Sequence, residues 1–158
     1  MNHGFAGRKW IAAGLAVLLA LGLGAACAEQ SVRLPESPYV LQIPDSLVYD
    51  GPGADGLCLF AYVSETLEID FCLYDWNGQD LREVALQMAE AGEEAEITVV
   101  NGIEMLAGRW RDETDGAPCV SYALRTGDRI VEIDFWYADQ PAADLTARIM
   151  ESIHESLD

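Results

Sequence analysis

Lysine is nearly missing from this chain. Lys9 is the only one, and beyond residue 28 the cations are seven arginines set against all 27 acidic residues. The formal net charge is −18, and −20 once Arg8 and Lys9 are set aside. Such a surface repels nucleic acid and anionic lipid headgroups, so neither is expected as a partner. Histidine is as scarce, with only His3 and His154, which leaves almost no parts for a histidine metal site or a serine triad. No GxSxG, HExxH, CxxC or GxxxxGK[ST] pattern occurs. No cofactor or metal is therefore expected, and no catalytic motif marks the chain as an enzyme.

One long apolar run is present, and it comes first. Arg8 and Lys9 precede the stretch Trp10 to Leu23, and Ala26-Cys27-Ala28 has the small-x-small form of a signal-peptidase site. The preferred reading is a signal peptide over residues 1–28, cleaved after Ala28. Two alternatives stay open. Cys27 could instead become a lipidated first residue, although Gly24 stands where that processing usually has Leu. The run could also remain as an uncleaved anchor, being just long enough to span a bilayer. All three place the remainder outside the cytoplasm, touching a membrane only through the N-terminal segment. Residues 29–36 are expected as a flexible lead-in and residues 37–158 as a single α+β domain.

Alternating and striped apolar residues outline that domain. "YVLQIP" reads as a short strand closed by Pro44, "LVYDG" as another, and "DGPGADG" as a loop. "GLCLFAYVSETLEIDFCLYDW" reads as a hairpin. A three-residue loop, Ser64 to Thr66, pairs Val63 with Leu67 and Leu59 with Phe71, placing Leu57, Leu59, Ala61 and Val63 on the core face. It also sets Cys58 opposite Cys72. Facing Cβ atoms on such a pair are about 4.5–5.5 Å apart, against about 3.5–4.5 Å in a disulfide. A bridge and a pair of buried thiols both remain open, with Cys119 left over.

"QDLREVALQMAEAG" carries Asp80 and Glu83 at capping-box spacing and a stripe of Leu81, Val84, Ala85 and Met88, which predicts a helix stopped at Gly92. Asn101-Gly102 turns a second hairpin that pairs Val100 with Ile103 and Thr98 with Met105. Gly127-Asp128 turns a third, with Val120, Tyr122 and Leu124 facing Phe135, Ile133 and Val131. Asp139 or Gln140 then caps a last helix that runs past His154, striped by Ala142, Leu145, Ile149 and Ile153. The result is an antiparallel sheet of consecutive hairpins packed with two helices, one between hairpins and one C-terminal. A sheet with a single helix layer, of cystatin type, is the alternative.

"YVLQIP", "LREVALQMAEAG", "VVNGIEMLAGRW" and "IVEIDFWYADQPAADLTARIMESI", in that order, resemble the PsbP-like (Mog/PsbP-like) fold over residues 37–158. That family includes photosystem II extrinsic proteins, Ran-binding proteins and many exported bacterial proteins of unknown role. The resemblance implies a binding or accessory role and carries over no functional residue. The lack of lysine departs from PsbP, which docks through basic residues.

Trp110, flanked by Arg109 and Arg111, is the sharpest candidate for a binding patch, with Trp136 second. Packing into the domain is the competing role for both. Glu132 and Asp134 lie two apart on one strand, a spacing that carboxylate hydrolases use. Arg125 and Arg129 are close enough in sequence to make them a surface charge ladder instead. "DWNGQD" and "DETDG" offer oxygen ligands for Ca²⁺, but neither matches the EF-hand pattern. The expectation is an exported, non-enzymatic binding or accessory module for an unknown protein or cell-envelope component.

Overall fold

The computed structural model describes residues 28–53, 56–112 and 115–157, so the leader expected over residues 1–28 lies outside the described residues except for Ala28. Strands β1 (Glu29–Arg33), β2 (Tyr39–Pro44), β3 (Val48–Gly51), β4 (Cys58–Val63) and β5 (Leu67–Asp75) precede helix α1 (Leu81–Glu90). Then come β6 (Glu94–Val100), β7 (Ile103–Arg111), β8 (Pro118–Thr126), β9 (Arg129–Tyr137), helix α2 (Gln140–Glu151) and β10 (His154–Glu155). The large sheet has the order β3-β4-β5-β9-β8-β7-β6 and the small one β1-β2-β10, with antiparallel neighbours throughout.

Strand alternation gives the large sheet two different faces. Leu67, Ile69, Phe71, Met105, Val120, Leu124, Val131, Ile133 and Phe135 project to one side, where Leu41 and Ile43 of the small sheet and Ile149, Met150 and Ile153 complete the main core. Helix α2 packs there, against β2 and β9. Helix α1 lies on the other side: a Cβ on Gly108 would sit 3.9 Å from Met88 Cε. Helices on opposite faces rule out a single helix layer and give an α+β architecture.

Local chemistry explains the best-anticipated elements. Asn101 (φ 51°) and Gly102 (φ 82°) occupy the left-handed region that a two-residue hairpin loop demands, and Val100 pairs with Ile103 as expected. Gly127 (φ 64°) serves the next hairpin, whose pairs Val120–Phe135, Tyr122–Ile133 and Leu124–Val131 also form as expected. Asp80 accepts from the Arg82 N–H at 2.8 Å and Asp139 from the Ala142 N–H at 2.9 Å, each satisfying an orphan donor at a helix start.

Three expectations are corrected. Residues 29–36 are not a flexible lead-in: β1 pairs along β2, and Val32 and Leu34 are buried in the core. The last helix stops at Glu151, and His154 lies in β10, paired with Val40 of β2. The Asn101 side chain donates to the carbonyls of Glu151 and Ile153 at 2.9 and 2.8 Å, taking up acceptors that a continuing helix would have used. The first hairpin is also one residue out of the expected register. Val63 faces Glu68, Tyr62 faces Ile69 and Phe60 faces Phe71, so Phe60 and Tyr62 turn to the core while Leu59 is 42% exposed. The register then shifts between Phe60 and Cys58, and this irregularity returns Cys58 to Cys72.

Cys58 and Cys72 are joined as a disulfide, with Cα atoms 4.1 Å apart, and Cys119 is a buried free thiol. The bridge closes a short loop, with a sequence separation of 14. In the loop-entropy model the double variant Cys58→Ala/Cys72→Ala should lose about 2–3 kcal/mol of stability. Urea unfolding with and without dithiothreitol checks this: reductant should weaken the wild type to the level of the variant and leave the variant unchanged.

Candidate functional site

On the α1 side of the large sheet, alternation brings forward a polar set from three neighbouring strands. Asp70 of β5 stands opposite Asp134 of β9, and Asp134 opposite Ser121 of β8. One position along, Trp136 faces Cys119, and Cys119 faces Trp110 of β7. The indole N–H of Trp110 donates to Ser121 Oγ at 2.9 Å, and Ser121 Oγ donates to Asp134 Oδ1 at 2.5 Å. Trp136 Nε1 donates to Asp70 Oδ2 at 3.2 Å. The two indoles meet edge to face, with ring centroids 4.7 Å apart. Trp110 is 45% exposed and Trp136 only 4%. One ring is therefore presented to solvent and the other is the surface it rests on.

Burial governs the titrating groups of this face. It pushes Asp134 up to about 7, with the nearby charge of Glu132 adding to the rise and the Ser121 hydrogen bond opposing it. Glu132 is raised by burial as well, against a hydrogen bond from Tyr74. The Cys119 thiol is pushed far above its ordinary value, first by burial and then by the Asp134 charge. A thiol in that state supplies no thiolate nucleophile. His154, the one histidine among the described residues, lies on the small sheet, and its ring contacts the Ser152 carbonyl at 2.9 Å.

The sequence-predicted patch is divided. The period of two places Arg109 and Arg111 on the opposite face from Trp110. Arg109 is 3.7 Å from Glu96 and lines a cavity of about 260 Å³ under α2, alongside Tyr122 and Tyr137. Arg111 donates to the Gly116 carbonyl at 3.2 Å. The residues that join Trp110 and Trp136 are Ser121, Asp134, Asp70 and Cys119. Their sequence signal was a run of polar or small residues at alternate positions: Glu68, Asp70 and Cys72 in β5, Cys119, Ser121 and Ala123 in β8, and Glu132 and Asp134 in β9.

The surface charge ladder is overturned too. Arg125 stacks on the Trp76 ring, 3.4 Å from its centroid, and Arg129 pairs with Asp75 and Glu36. Neither neutralises Glu132 or Asp134. In "DWNGQD", Asp80 caps α1, Asp75 holds Arg129, and Asn77 accepts from the Gln79 N–H. Among the described residues, no group of three or more His, Cys, Asp or Glu side chains is arranged to hold a metal ion. No described helix is long and apolar enough to cross a membrane.

No family model matches the chain, and no curated protein matches it in sequence. Solved structures do. The solution structure of cyanobacterial PsbP (CyanoP) from Synechocystis sp. PCC 6803 superposes with a TM-score of 0.61 at 11% identity, covering 87% of this chain and 98% of that one. A protein from Bacteroides thetaiotaomicron VPI-5482 superposes with a TM-score of 0.56 at 12% identity, over 81% of this chain and 48% of that one. The chain thus has the PsbP-like fold that its sequence resembles. At these identities the likeness extends to the fold alone.

Proposed function

We propose that this chain is an exported, non-enzymatic binding or accessory module. It acts outside the cytoplasm on a protein or cell-envelope component, with Trp110 as its anchor. The carrying observation is an exposed indole already held in one geometry, by Ser121 below and by the Trp136 edge beside it. A pre-set aromatic loses little side-chain entropy on association, which is the property of a binding anchor. Arg109 and Arg111, on the other face, take no part. The acidic surface favours a basic partner and fast, salt-sensitive encounter. Export rests on the leader, with cleavage after Ala28, and the intact mass of the native protein separates this from lipid attachment at Cys27.

Cross-linking in the envelope of the source cell tests the reading. Trp110→Ala should cut the yield of the wild-type cross-linked partner about tenfold or more, with the circular dichroism spectrum unchanged. The partner should also be lost at high salt. Equal yield from the folded variant rejects Trp110 as the anchor.

A further inference from the structure

A second feature of the α1 side is a cavity of about 270 Å³ between α1 and the sheet, beyond the Trp110 network. Tyr74, Trp76, Leu81, Val84, Ile130 and Glu132 are among its walls. Those walls are fixed. The Trp76 N–H donates to the Asp128 carbonyl at 3.0 Å, its indole N–H donates to the Gln79 carbonyl at 2.9 Å, and Arg125 covers its ring. Leu81 and Val84 belong to a helix capped by Asp80. A space of this size lies just under the roughly 300–1,000 Å³ of typical small-molecule sites.

The chemistry of the walls is one-sided. They are apolar and aromatic apart from the amides of Asn77 and Gln79 and two carboxylates, Asp75 and Glu132. Arg129 already pairs with Asp75. Glu132 receives a hydrogen bond from Tyr74, and among the described residues no arginine forms a salt bridge with it. A carboxylate has about four acceptor sites, and the Tyr74 hydroxyl fills one of them. Its burial is costly while it carries charge without a cation. An anion would meet Glu132 and a chain of net charge −18. A metal ion would want several oxygen ligands, and no such set is present among the described residues. An alkylammonium ion suits most of the walls: its charge meets Glu132, its tail meets Leu81, Val84 and Ile130, and the Tyr74 ring attracts cations, while one face of Trp76 is already taken by Arg125.

We propose that this cavity binds a small organic ammonium ion, with Glu132 as its counter-ion and Trp76 and α1 as its walls. The site is separate from the Trp110 surface, so either can fail without the other.

The probe is n-butylammonium, with n-butanol as its neutral analogue, titrated into the purified protein and followed by nuclear magnetic resonance. The Trp76 indole and the Leu81 and Val84 methyl signals should shift saturably with n-butylammonium, and n-butanol should bind about tenfold more weakly or worse. Glu132→Gln should weaken n-butylammonium about tenfold or more and leave n-butanol unchanged. Val84→Trp, which fills the cavity from a half-buried helix position, should abolish both and stands in should Glu132→Gln fail to fold. Equal affinity for the two probes, undiminished binding to Glu132→Gln or Val84→Trp, or non-saturating shifts spread over the acidic surface would each overturn the site.

Discussion

Phe71→Ala should cost about 3–5 kcal/mol of stability, whereas Leu59→Ala should cost about 0.5 kcal/mol or less. Phe71 is fully buried, stacked on Phe60 with centroids 4.8 Å apart and edge-on to Tyr62 at 6.2 Å. Truncating it removes those ring contacts and leaves a cavity in the main core. Leu59 is the residue skipped by the register shift, and 42% of it remains in water. In the expected register Leu59 would lie beside Phe71 on the core side, and both truncations would be expensive. Urea unfolding of the two variants therefore reads the register directly. A Leu59→Ala loss comparable to that of Phe71→Ala would show that β4 is turned the other way.

That strand shows where sequence reasoning reaches its limit. Periodicity discriminates only when one parity is apolar, and in β4 both are, with Leu57, Leu59, Ala61 and Val63 interleaved with Cys58, Phe60 and Tyr62. Nothing but the loop then sets the register. Ser64 closes that loop through its own backbone and side chain to Leu67, at 2.8 and 3.1 Å, which makes it one residue longer than expected. Because the shift at Leu59 cancels the added residue, Cys58 meets Cys72 in either register. In β8 and β9 the opposite holds. A two-residue loop at Gly127-Asp128 and single-parity apolar residues agree, and that hairpin was legible pair by pair. At and just after β1 the apolar alternation was only Val32 and Leu34, beside the expected cleavage point and Pro35.

The site was less legible than the fold, for a related reason. Adjacent residues on a strand project to opposite faces, so Arg109 and Arg111 could not accompany Trp110 on one surface. The companions of Trp110 come from β8 and β9. Their alignment depends on pairing across the loop 112–117, which no short turn motif specifies. The polar parity of β9 read as water-facing, whereas a broad sheet with α1 on the same side leaves Asp134 and Glu132 largely out of water.

That burial has a measurable consequence at Asp134. An unfolded aspartate titrates near 3.9, and in the folded chain Asp134 is raised to about 7. The groups facing it are Glu132 on its own strand, Asp70 on β5, and Ser121 with Cys119 on β8. Burial and the Glu132 charge disfavour its ionisation, and the Ser121 hydrogen bond opposes them. Between about pH 4 and pH 7 the unfolded chain has released a proton that the folded chain retains. The contribution of Asp134 to stability is thus fully present below pH 4 and is lost as pH rises through 7, by about 2–4 kcal/mol. Asp134→Asn removes the titration while leaving an Oδ1 to accept from Ser121. The variant should match the wild type within about 1 kcal/mol at pH 4 and exceed it by about 1–3 kcal/mol at pH 8. The acidic residues away from this face are shared by the two proteins, so the difference between their urea curves at pH 4, 6 and 8 reports Asp134 together with its interaction with Glu132. A variant less stable than the wild type at pH 8 would mean that Asp134 is held charged in the fold, with the Ser121 and Trp110 hydrogen bonds outweighing its burial.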